Sequence, residues 1–341
     1  MHYFKVFLII ILLSRGGITE PPEWVKKSID LTINTQFDSA EVLLLERISS
    51  DSTSLMARFY YASVLNSKMT HFENQTDAAV FKKTLAKIIT DAEQMLERDH
   101  LNPHRKSRIH FYRGSAYGYL GFFQGQNGQW YNALKNGMKS VDDLKTALQL
   151  DSTLYDACLG LGVYKYWRST KLKFLLWLPV VPDQREEGIQ LIKKAIEHDA
   201  VSKFMAIHQL IYILVDYGAY DEAAKYAEIA VNAYPESQFM YWANAHTYFK
   251  MHDYPKAVDR YQRLLKLIES DDKANPMHWL ICKHRIAKIQ FRMDKYAKAQ
   301  TTWQELFARN FDSSISDEGR KKLREARTLL MEVTELLSSR E

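Results

Sequence analysis

The sequence predicts an all-α helical solenoid, and the main evidence is a residue pattern that occurs twice between residues 203 and 265. In each copy, apolar residues stand four and then three residues apart, and a second helical pattern precedes them. A period of about 34 residues with two amphipathic helices per unit is typical of a helical solenoid. The two sets, offset by 34 residues, are Ala223, Ala227 and Ala230, then Ala257, Tyr261 and Leu264.

Length and composition favour the same fold. A chain of 341 residues is long for one closed core, but a solenoid grows simply by adding hairpins. Aromatic residues make up 13% of the chain, which suits a stack in which rings wedge between neighbouring helices. The 13 Gly and 8 Pro fall mostly between helical patterns, so long flexible linkers are not expected.

The first three units end at clear breaks. Unit one covers residues 23–49, starts after two prolines and ends at a run of Ser and Asp that supplies caps for the next helix. Unit two runs from about Leu55 to Arg98, and Asn102 and Pro103 end it. Unit three follows and reaches Asp151. Its Gly114 and Gly118 share one helix face and would allow a neighbouring helix to approach closely.

Units four to seven are followed by a terminal helix. Unit four contains Gly160 and Gly162 in its first helix and Gly188 in its second, with an insert at residues 167–184 between them. Units five and six are the repeated pair, and unit seven spans residues 277–308. The last pattern, residues 316–337, is strongly charged on one side and predicts a helix that caps the stack.

The repeated spacing resembles the tetratricopeptide repeat, whose W-L-G-Y…A-F-A-P pattern it matches mostly in residue type. Gly114 and Tyr117 stand three residues apart, as the family's Gly and Tyr do, and Pro235 follows Ala230 where the family has proline. The resemblance implies a right-handed superhelical solenoid of about seven antiparallel hairpins over residues 21–341. It also implies a non-catalytic scaffold that binds a protein or peptide without a cofactor.

No pattern in the sequence predicts catalysis or metal binding. Phosphate-loop, nucleophile-elbow and H-E-x-x-H motifs are absent from the sequence, and Pro103 interrupts the one histidine cluster, at His100, His104 and His110. The sequence therefore favours neither an enzyme nor a small-molecule substrate. An enzyme site built across the groove is a third hypothesis that no motif supports. Cys158 and Cys282 are too few for a disulfide framework, and their apolar contexts predict buried thiols.

The N-terminus predicts export. Lys5 precedes an unbroken apolar run at residues 6–13, and small residues follow at Ser14 and Gly16, so residues 1–16 are expected to be a signal peptide. Arg15 is untypical so close to a cleavage site, and a short uncleaved anchor is the alternative. Without this leader the chain has 44 basic and 41 acidic residues, a net charge of +3, which gives no reason to expect nucleic acid as a partner. The expected location is the periplasm or the outer membrane.

The resemblance also assigns a partner groove, formed by the first helices of successive units. The residues that its register places there alternate aromatic rings with cations, which suits an extended or helical peptide bearing carboxylates. The alternative is that the rings are core wedges and the cations are merely solvated. The residues chosen for the groove are Phe111, Tyr212, Trp242, His246, Lys250, Lys288 and Arg292.

The family's carboxylate clamp is not predicted. Its Lys, Asn, Asn, Lys and Arg positions are occupied here by other residues in four of five cases, so a chaperone's acidic tail is not an expected ligand. The five residues are His208, Tyr212, Ala243, Ile281 and Arg285.

The insert carries a second functional hypothesis. Lys171 and Lys173 precede a run of large apolar residues that includes Phe174 and Trp177, and cations beside Trp and Leu are typical of interfacial membrane segments. Residues 167–181 would then attach a peripheral platform to a membrane or contact a partner. The alternative is a packed lid over a neighbouring repeat, which is favoured because exposed apolar residues promote aggregation.

Overall fold

The structure is a computed structural model that describes residues 20–98, 101–171, 182–311 and 317–339. These residues form fifteen α-helices and no strand, which confirms the predicted all-α class. The helices are α1 (Glu23–Ile33), α2 (Phe37–Ser50), α3 (Leu55–Phe72), α4 (Ala78–Leu96), α5 (Pro103–Gln126), α6 (Trp130–Leu150), α7 (Asp156–Lys171), α8 (Arg185–Glu197), α9 (Lys203–Tyr217), α10 (Tyr220–Ala233), α11 (Gln238–Lys250), α12 (Tyr254–Glu269), α13 (Pro276–Arg292), α14 (Tyr296–Ala308) and α15 (Asp317–Ser338).

Consecutive helices pair into seven hairpins, α1–α2 through α13–α14, and each hairpin packs on the next. The final helix, α15, lies against both α13 and α14, as a capping helix should. The first unit predicted from sequence, residues 23–49, corresponds to α1 and α2, and the predicted cap at 316–337 corresponds to α15. The solenoid class is therefore confirmed.

Breaks in the sequence become helix caps. The side chain of Ser54 accepts a hydrogen bond from the backbone of Ala57, and that of Asn102 accepts one from Arg105. Asp253 and Asn275 cap α12 and α13 in the same way. These oxygens satisfy backbone N–H groups that would otherwise lack partners in the first turn, which stabilises each helix start by about 1 kcal/mol.

The repeated small residues form the core between hairpins. Ala223, Ala227, Ala230 and Ala257 are all fully buried and belong to one hydrophobic cluster. Because equivalent alanines occupy equivalent surroundings, the 34-residue period seen in the sequence is a structural period. Both cysteines are buried and free, as predicted.

Helices α7 and α8 cross closely at a pair of glycines. A methyl group built on Gly162 would lie 2.5 Å from the carbonyl oxygen of Gly188, and one built on Gly188 would lie 2.6 Å from that of Gly162. Both obstacles are backbone atoms, which cannot rotate away. The pair of glycines therefore allows two helix backbones to touch.

The two ends of the solenoid turn meet, which the sequence did not predict. Ser237 at the start of α11 donates a hydrogen bond to the Ile33 carbonyl at 2.5 Å, and Tyr234 donates one to Asp30 at 2.6 Å. The Asn275 side chain donates to the carbonyl of Phe72 at 3.2 Å. Hairpins one and two thus contact hairpins five to seven across more than 200 residues of sequence. We call this contact the seam.

The Gly162–Gly188 crossing predicts a clear contrast between two glycine substitutions. Gly162→Ala should lower the thermal unfolding midpoint, because overpacking against backbone costs about 1–3 kcal/mol. Gly160→Ala should leave it unchanged or raise it, since its methyl would meet only the movable Leu144 side chain and Ala is about 1 kcal/mol better than Gly in a helix. Circular dichroism melting of both variants measures this. Equal melting temperatures for the two variants would contradict the close backbone contact at Gly162.

Candidate functional site

An aromatic cluster fills the seam. The rings of His71 and His278 lie 4.6 Å apart between centroids and meet edge to face, and Phe239 lies 5.4 Å from His71 and 6.3 Å from Phe37. These residues come from α2, α3, α11 and α13, so the cluster joins the N-terminal hairpins to the later ones. We call His71, His278, Phe37, Phe72 and Phe239 the seam cluster.

The two seam histidines are held neutral. His71 is 4% exposed and His278 is 6% exposed, and burial lowers the pKa of His71 to about 3 and that of His278 to about 4. A hydrogen bond with the His71 backbone, and then the charge of Asp271, act to raise the pKa of His278, but desolvation is stronger. Nε2 of His71 and Nδ1 of His278 have no hydrogen-bond partner within the described chain. A proton on either ring would therefore be a buried charge facing another histidine.

A crevice of about 1010 Å³ opens on the surface along the seam. Most of its charged lining residues are acidic, but each acid already has a partner. Asp30 accepts from Tyr234, Asp38 pairs with Lys273, Asp271 accepts from Gln238 and Glu236 pairs with Arg263. Asp30 and Asp38 have partners across the seam, and Asp271 and Glu236 have partners within hairpins five to seven, so the crevice offers a ligand no acid without a partner.

The stronger candidate lies further along the first helices of hairpins five to seven. Tyr212 of α9 stacks on His246 of α11, with ring centroids 5.8 Å apart and planes 29° apart. The guanidinium groups of Arg285 and Arg292, both on α13, lie 4.9 Å and 5.2 Å from the centre of the Phe249 ring. Together with the exposed Lys250, these residues form what we call the basic–aromatic patch: Tyr212, His246, Phe249, Lys250, Arg285 and Arg292.

The charge of the patch is uncompensated. Lys250, Arg285 and Arg292 form no ion pair with a carboxylate in the described ranges. Burial, and then the positive charges of Arg285 and Lys250, lower the pKa of His246 to about 4. Burial also raises the pKa of Tyr212 to about 12. At neutral pH the patch is therefore a set of three cations around uncharged rings.

Four of the seven predicted groove residues meet in the patch: Tyr212, His246, Lys250 and Arg292. Phe111 lies elsewhere, 8% exposed, wedged against Phe59 and Tyr112. Its ring leaves little surface for a partner, so Phe111 fits the alternative in which the aromatic rings are core wedges.

Trp242 and Lys288 have partners within the protein. The indole of Trp242 is half-buried and meets His278 at 5.7 Å and Tyr261 at 6.1 Å, so it faces the seam cluster. Lys288 forms an ion pair with Glu325 of the capping helix. Burial would raise the pKa of Glu325, but its hydrogen bond from Lys288 and the neighbouring positive charges lower it to about 2. The cap therefore covers this end of the predicted groove.

The seven groove residues chosen from the sequence do not include Phe249 of the patch, nor do they include Arg285. Arg285 appears in the sequence analysis only as the single match to the carboxylate clamp. Its position was nevertheless visible, because Arg285, Lys288 and Arg292 are spaced three and four residues apart and share one helix face. The register borrowed from the family omitted the first of the three.

The insert lies mostly outside the described residues. Trp167 is half-buried in α7 and packs edge-on against Tyr166 at 5.2 Å. Lys171 ends α7 and is exposed, whereas Lys173, Phe174 and Trp177 fall in residues 172–181, outside the described ranges. No described helix has the length and apolar character needed to cross a bilayer.

The histidines considered as metal ligands have other roles. His104 contacts Asp151 at 2.8 Å, and His110 contacts Asp143 at 2.7 Å. His100 is outside the described residues. Where the structure describes the chain, it contains no group of three or more His, Cys, Asp or Glu side chains arranged to hold a metal ion.

Comparisons with known proteins support the fold. Scans against protein-family models and against curated proteins found no match. A chain of the APC/C hetero-tetramer Cut9–Hcn1 is similar, with a TM-score of 0.54 and 11% identity over 88% of this chain. This chain spans about half, 48%, of the length of that one.

Two bacterial tetratricopeptide repeat structures are similar over nearly their whole length. One, from Parabacteroides merdae, has a TM-score of 0.41 and 16% identity and covers 89% of this chain and 98% of its own. The other, the C-terminal part of a protein from Cytophaga hutchinsonii, has a TM-score of 0.47 and 15% identity and covers 88% and 99%. The chain has the tetratricopeptide repeat fold that its sequence predicts.

The seam histidines predict that acid opens the seam. A histidine has a pKa of about 6.5 when unfolded. Because these two have lower pKa values when folded, their contribution to stability is complete above pH 6.5 and is lost as the pH falls towards 3–4. Between pH 7 and pH 5 each should weaken the seam by roughly 2 kcal/mol. Hydrogen exchange of α1–α3, corrected for intrinsic rates, should therefore accelerate at pH 5.

A matched control separates the seam from general acid sensitivity. His71→Gln with His278→Gln should remove most of the pH dependence of exchange in α1–α3. His284→Gln should leave the pH dependence of exchange in α1–α3 unchanged, because His284 lies beside α15. His284 is equally buried, and its pKa is also lowered to about 4. If α1–α3 exchange equally at both pH values, the seam histidines do not control closure.

Proposed function

We propose that the protein is a non-catalytic scaffold that binds an acidic segment of another protein at the basic–aromatic patch. The fold is one used for protein interaction, and the patch provides the feature that selects a partner. The observation that carries the proposal is the group of three cations, Lys250, Arg285 and Arg292, around aromatic rings, without carboxylates to pair with in the described chain.

Guanidinium stacking suits carboxylate recognition. Arg285 and Arg292 lie over the Phe249 ring, and Nη1 of Arg292 also donates a hydrogen bond to the Tyr254 hydroxyl at 3.4 Å, which leaves the other guanidinium N–H groups for a partner. Those groups can donate two parallel hydrogen bonds to a carboxylate. The ring also fixes each arginine before binding, so less side-chain entropy is lost when the partner arrives.

The same chemistry argues for binding rather than catalysis. A pKa of about 4 makes His246 a poor proton acceptor at neutral pH, and a pKa of about 12 makes Tyr212 a poor proton donor. Both are uncharged rings at pH 7. They provide apolar contact surface beside the cations, which is what the apolar side chains of a peptide need.

The second candidate, a membrane platform held by residues 167–181, keeps limited support in the described residues. Trp167 is half-buried and packs against the core, so only part of its ring is free to contact a bilayer. Lys171 is exposed and available. The remaining residues of this hypothesis lie outside the described ranges, and vesicle flotation with Trp177→Asp tests their role.

Export to the periplasm or the outer membrane is also a proposal, supported by the sequence of residues 1–16. Cell fractionation should recover the protein outside the cytoplasm, with its first residue after position 16. A cytoplasmic protein that keeps Met1 would contradict the proposal. An exported protein that keeps Met1 would indicate the uncleaved anchor instead.

The binding proposal predicts a charge-dependent affinity. A labelled peptide rich in Glu and Leu should bind more tightly than the same peptide with Gln in place of Glu, and its affinity should fall with added salt. Arg285→Glu or Arg292→Glu should weaken binding by about 10-fold or more, since a hydrogen bond to a charged group contributes about 1.5–3 kcal/mol. Fluorescence anisotropy measures each affinity.

Lys225→Glu is the control for these variants. Lys225 is an exposed cation on α10, outside the patch, so its reversal changes net charge equally without touching the patch. Binding should survive it, and circular dichroism should show unchanged helix content in all variants. Equal binding of the Glu and Gln peptides would refute recognition by charge, and equal loss in all three variants would refute the patch as its location.

A further inference from the structure

Among the described residues, the largest group of exposed apolar side chains lies on the third hairpin, far along the chain from the basic–aromatic patch. Trp130 is 67% exposed and Tyr131 79%, and Leu134, Met138 and Phe122 are each more than half exposed. Four of the five are on α6, and Phe122 is on α5 near the same turn. We call these five residues the α6 stripe.

The stripe is continuous along the helix. Trp130, Leu134 and Met138 are spaced four residues apart, so they line one face over two helical turns, about 12 Å. Isolated exposed apolar residues are common, but a row that includes an indole and a phenol is not. Trp and Tyr have one apolar side and one polar end, which suits a boundary between water and a non-aqueous phase.

A cation without an acidic partner in the described residues lies beside the stripe. Lys135 lies on α6 between Leu134 and Met138, is exposed, and has no carboxylate partner in the part of the chain that the structure describes. Residues 100–141 contain six Lys or Arg and neither Asp nor Glu. On the neighbouring turn, Asp77 is already paired with Lys68.

The end of α7 brings further cations to the same place. The Tyr164 ring packs on Gly137, where an added methyl group would lie 2.9 Å from the ring. Helices α6 and α7 run antiparallel. Lys171 follows Tyr164 by seven residues on α7, and Trp130 precedes Gly137 by seven residues on α6, so Lys171 lies level with Trp130. Arg168 lies one turn after Tyr164 on the same face. The nearby acid Glu187, on α8, is paired with Lys165.

We propose that the α6 stripe, with Lys135, Arg168 and Lys171, is a docking surface for a bilayer that contains anionic phospholipid. Apolar and aromatic side chains would enter the interface, and the cations would meet phosphate groups. This surface is separate from the basic–aromatic patch, and its role does not depend on the proposed peptide binding.

Charge favours a bilayer over a second copy of this chain. In a two-fold interface the same surface meets itself, so Lys135 and Lys171 would face like charges with no acid from residues 100–141 to offset them. A stable dimer also buries about 800 Å² on each partner, more than five side chains on one hairpin supply. An anionic lipid surface provides the missing negative charge.

Vesicle flotation tests the proposal. The full chain would carry Ile10→Asp in every sample, to silence the apolar run at residues 6–13. It should float with vesicles of roughly one third phosphatidylglycerol and two thirds phosphatidylcholine, and much less with phosphatidylcholine alone. Trp130→Ser with Leu134→Ser should reduce partitioning by about 10-fold or more, because two large apolar side chains no longer enter the interface. Lys135→Gln should reduce it less and weaken its salt dependence.

Ile229→Ser is the matched control, since Ile229 is 48% exposed on α10 and lies outside the stripe. It should float as the parent does. Unchanged flotation of the Trp130/Leu134 variant, or no flotation of the parent, would overturn the proposal. So would a clear loss of thermal stability in that variant, or concentration-dependent dimers that it abolishes, because the stripe would then be covered by protein.

Discussion

The seam is the constraint on which the rest of the structure depends. A solenoid held together only by neighbouring hairpins can bend, because its stability is a sum of contacts between neighbours. Here Ser237, Tyr234 and Asn275 tie the later hairpins to Ile33, Asp30 and Phe72. Contacts between residues about 200 positions apart fix the curvature of the whole turn. They also decide which part of the concave surface is left for a partner.

Closure divides the first helices of hairpins six and seven into two parts. Their N-terminal ends contribute the half-buried Phe239 and the buried His278 to the seam cluster. Their C-terminal ends carry Lys250 and Arg292, which are exposed. Trp242 lies at the boundary, with its ring turned to His278. A partner would therefore reach the last turns of these helices and not their full length, which suits a short acidic segment better than a long helix.

The fold was predictable because its evidence is local and repeated. Each small residue of the Ala223 and Ala257 sets records a contact with the next helix, and Gly162 and Gly188 record a close crossing. The seam contacts have no comparable local, repeated pattern in the sequence. Ser237 reads as an ordinary N-cap, and its second hydrogen bond, to the Ile33 carbonyl, depends on how small rotations between hairpins accumulate over a turn.

The site was predictable in part, for related reasons. The family register chose Tyr212, His246, Lys250 and Arg292, which the structure brings near one another at the ends of α9, α11 and α13. It could not show that Lys288 is paired with Glu325 of the cap, since that contact lies outside the repeat. Trp130 and Leu134 have ordinary spacing for a helix that packs against a neighbour. Only coordinates show that this face of α6 is left uncovered by the described residues.

The distribution of charge links the two surfaces. The chain has a net charge of only +5, and many cations outside the two surfaces are paired, as Lys193 is with Glu222 and Lys283 with Glu305. Two groups of cations without acidic partners in the described ranges lie near aromatic rings, one around Phe249 and the other near Trp130. Since unpaired cations repel one another, each group raises the free energy of the isolated protein. An anionic partner would remove that cost, and because the two groups are on different hairpins, each can be neutralised while the other remains free.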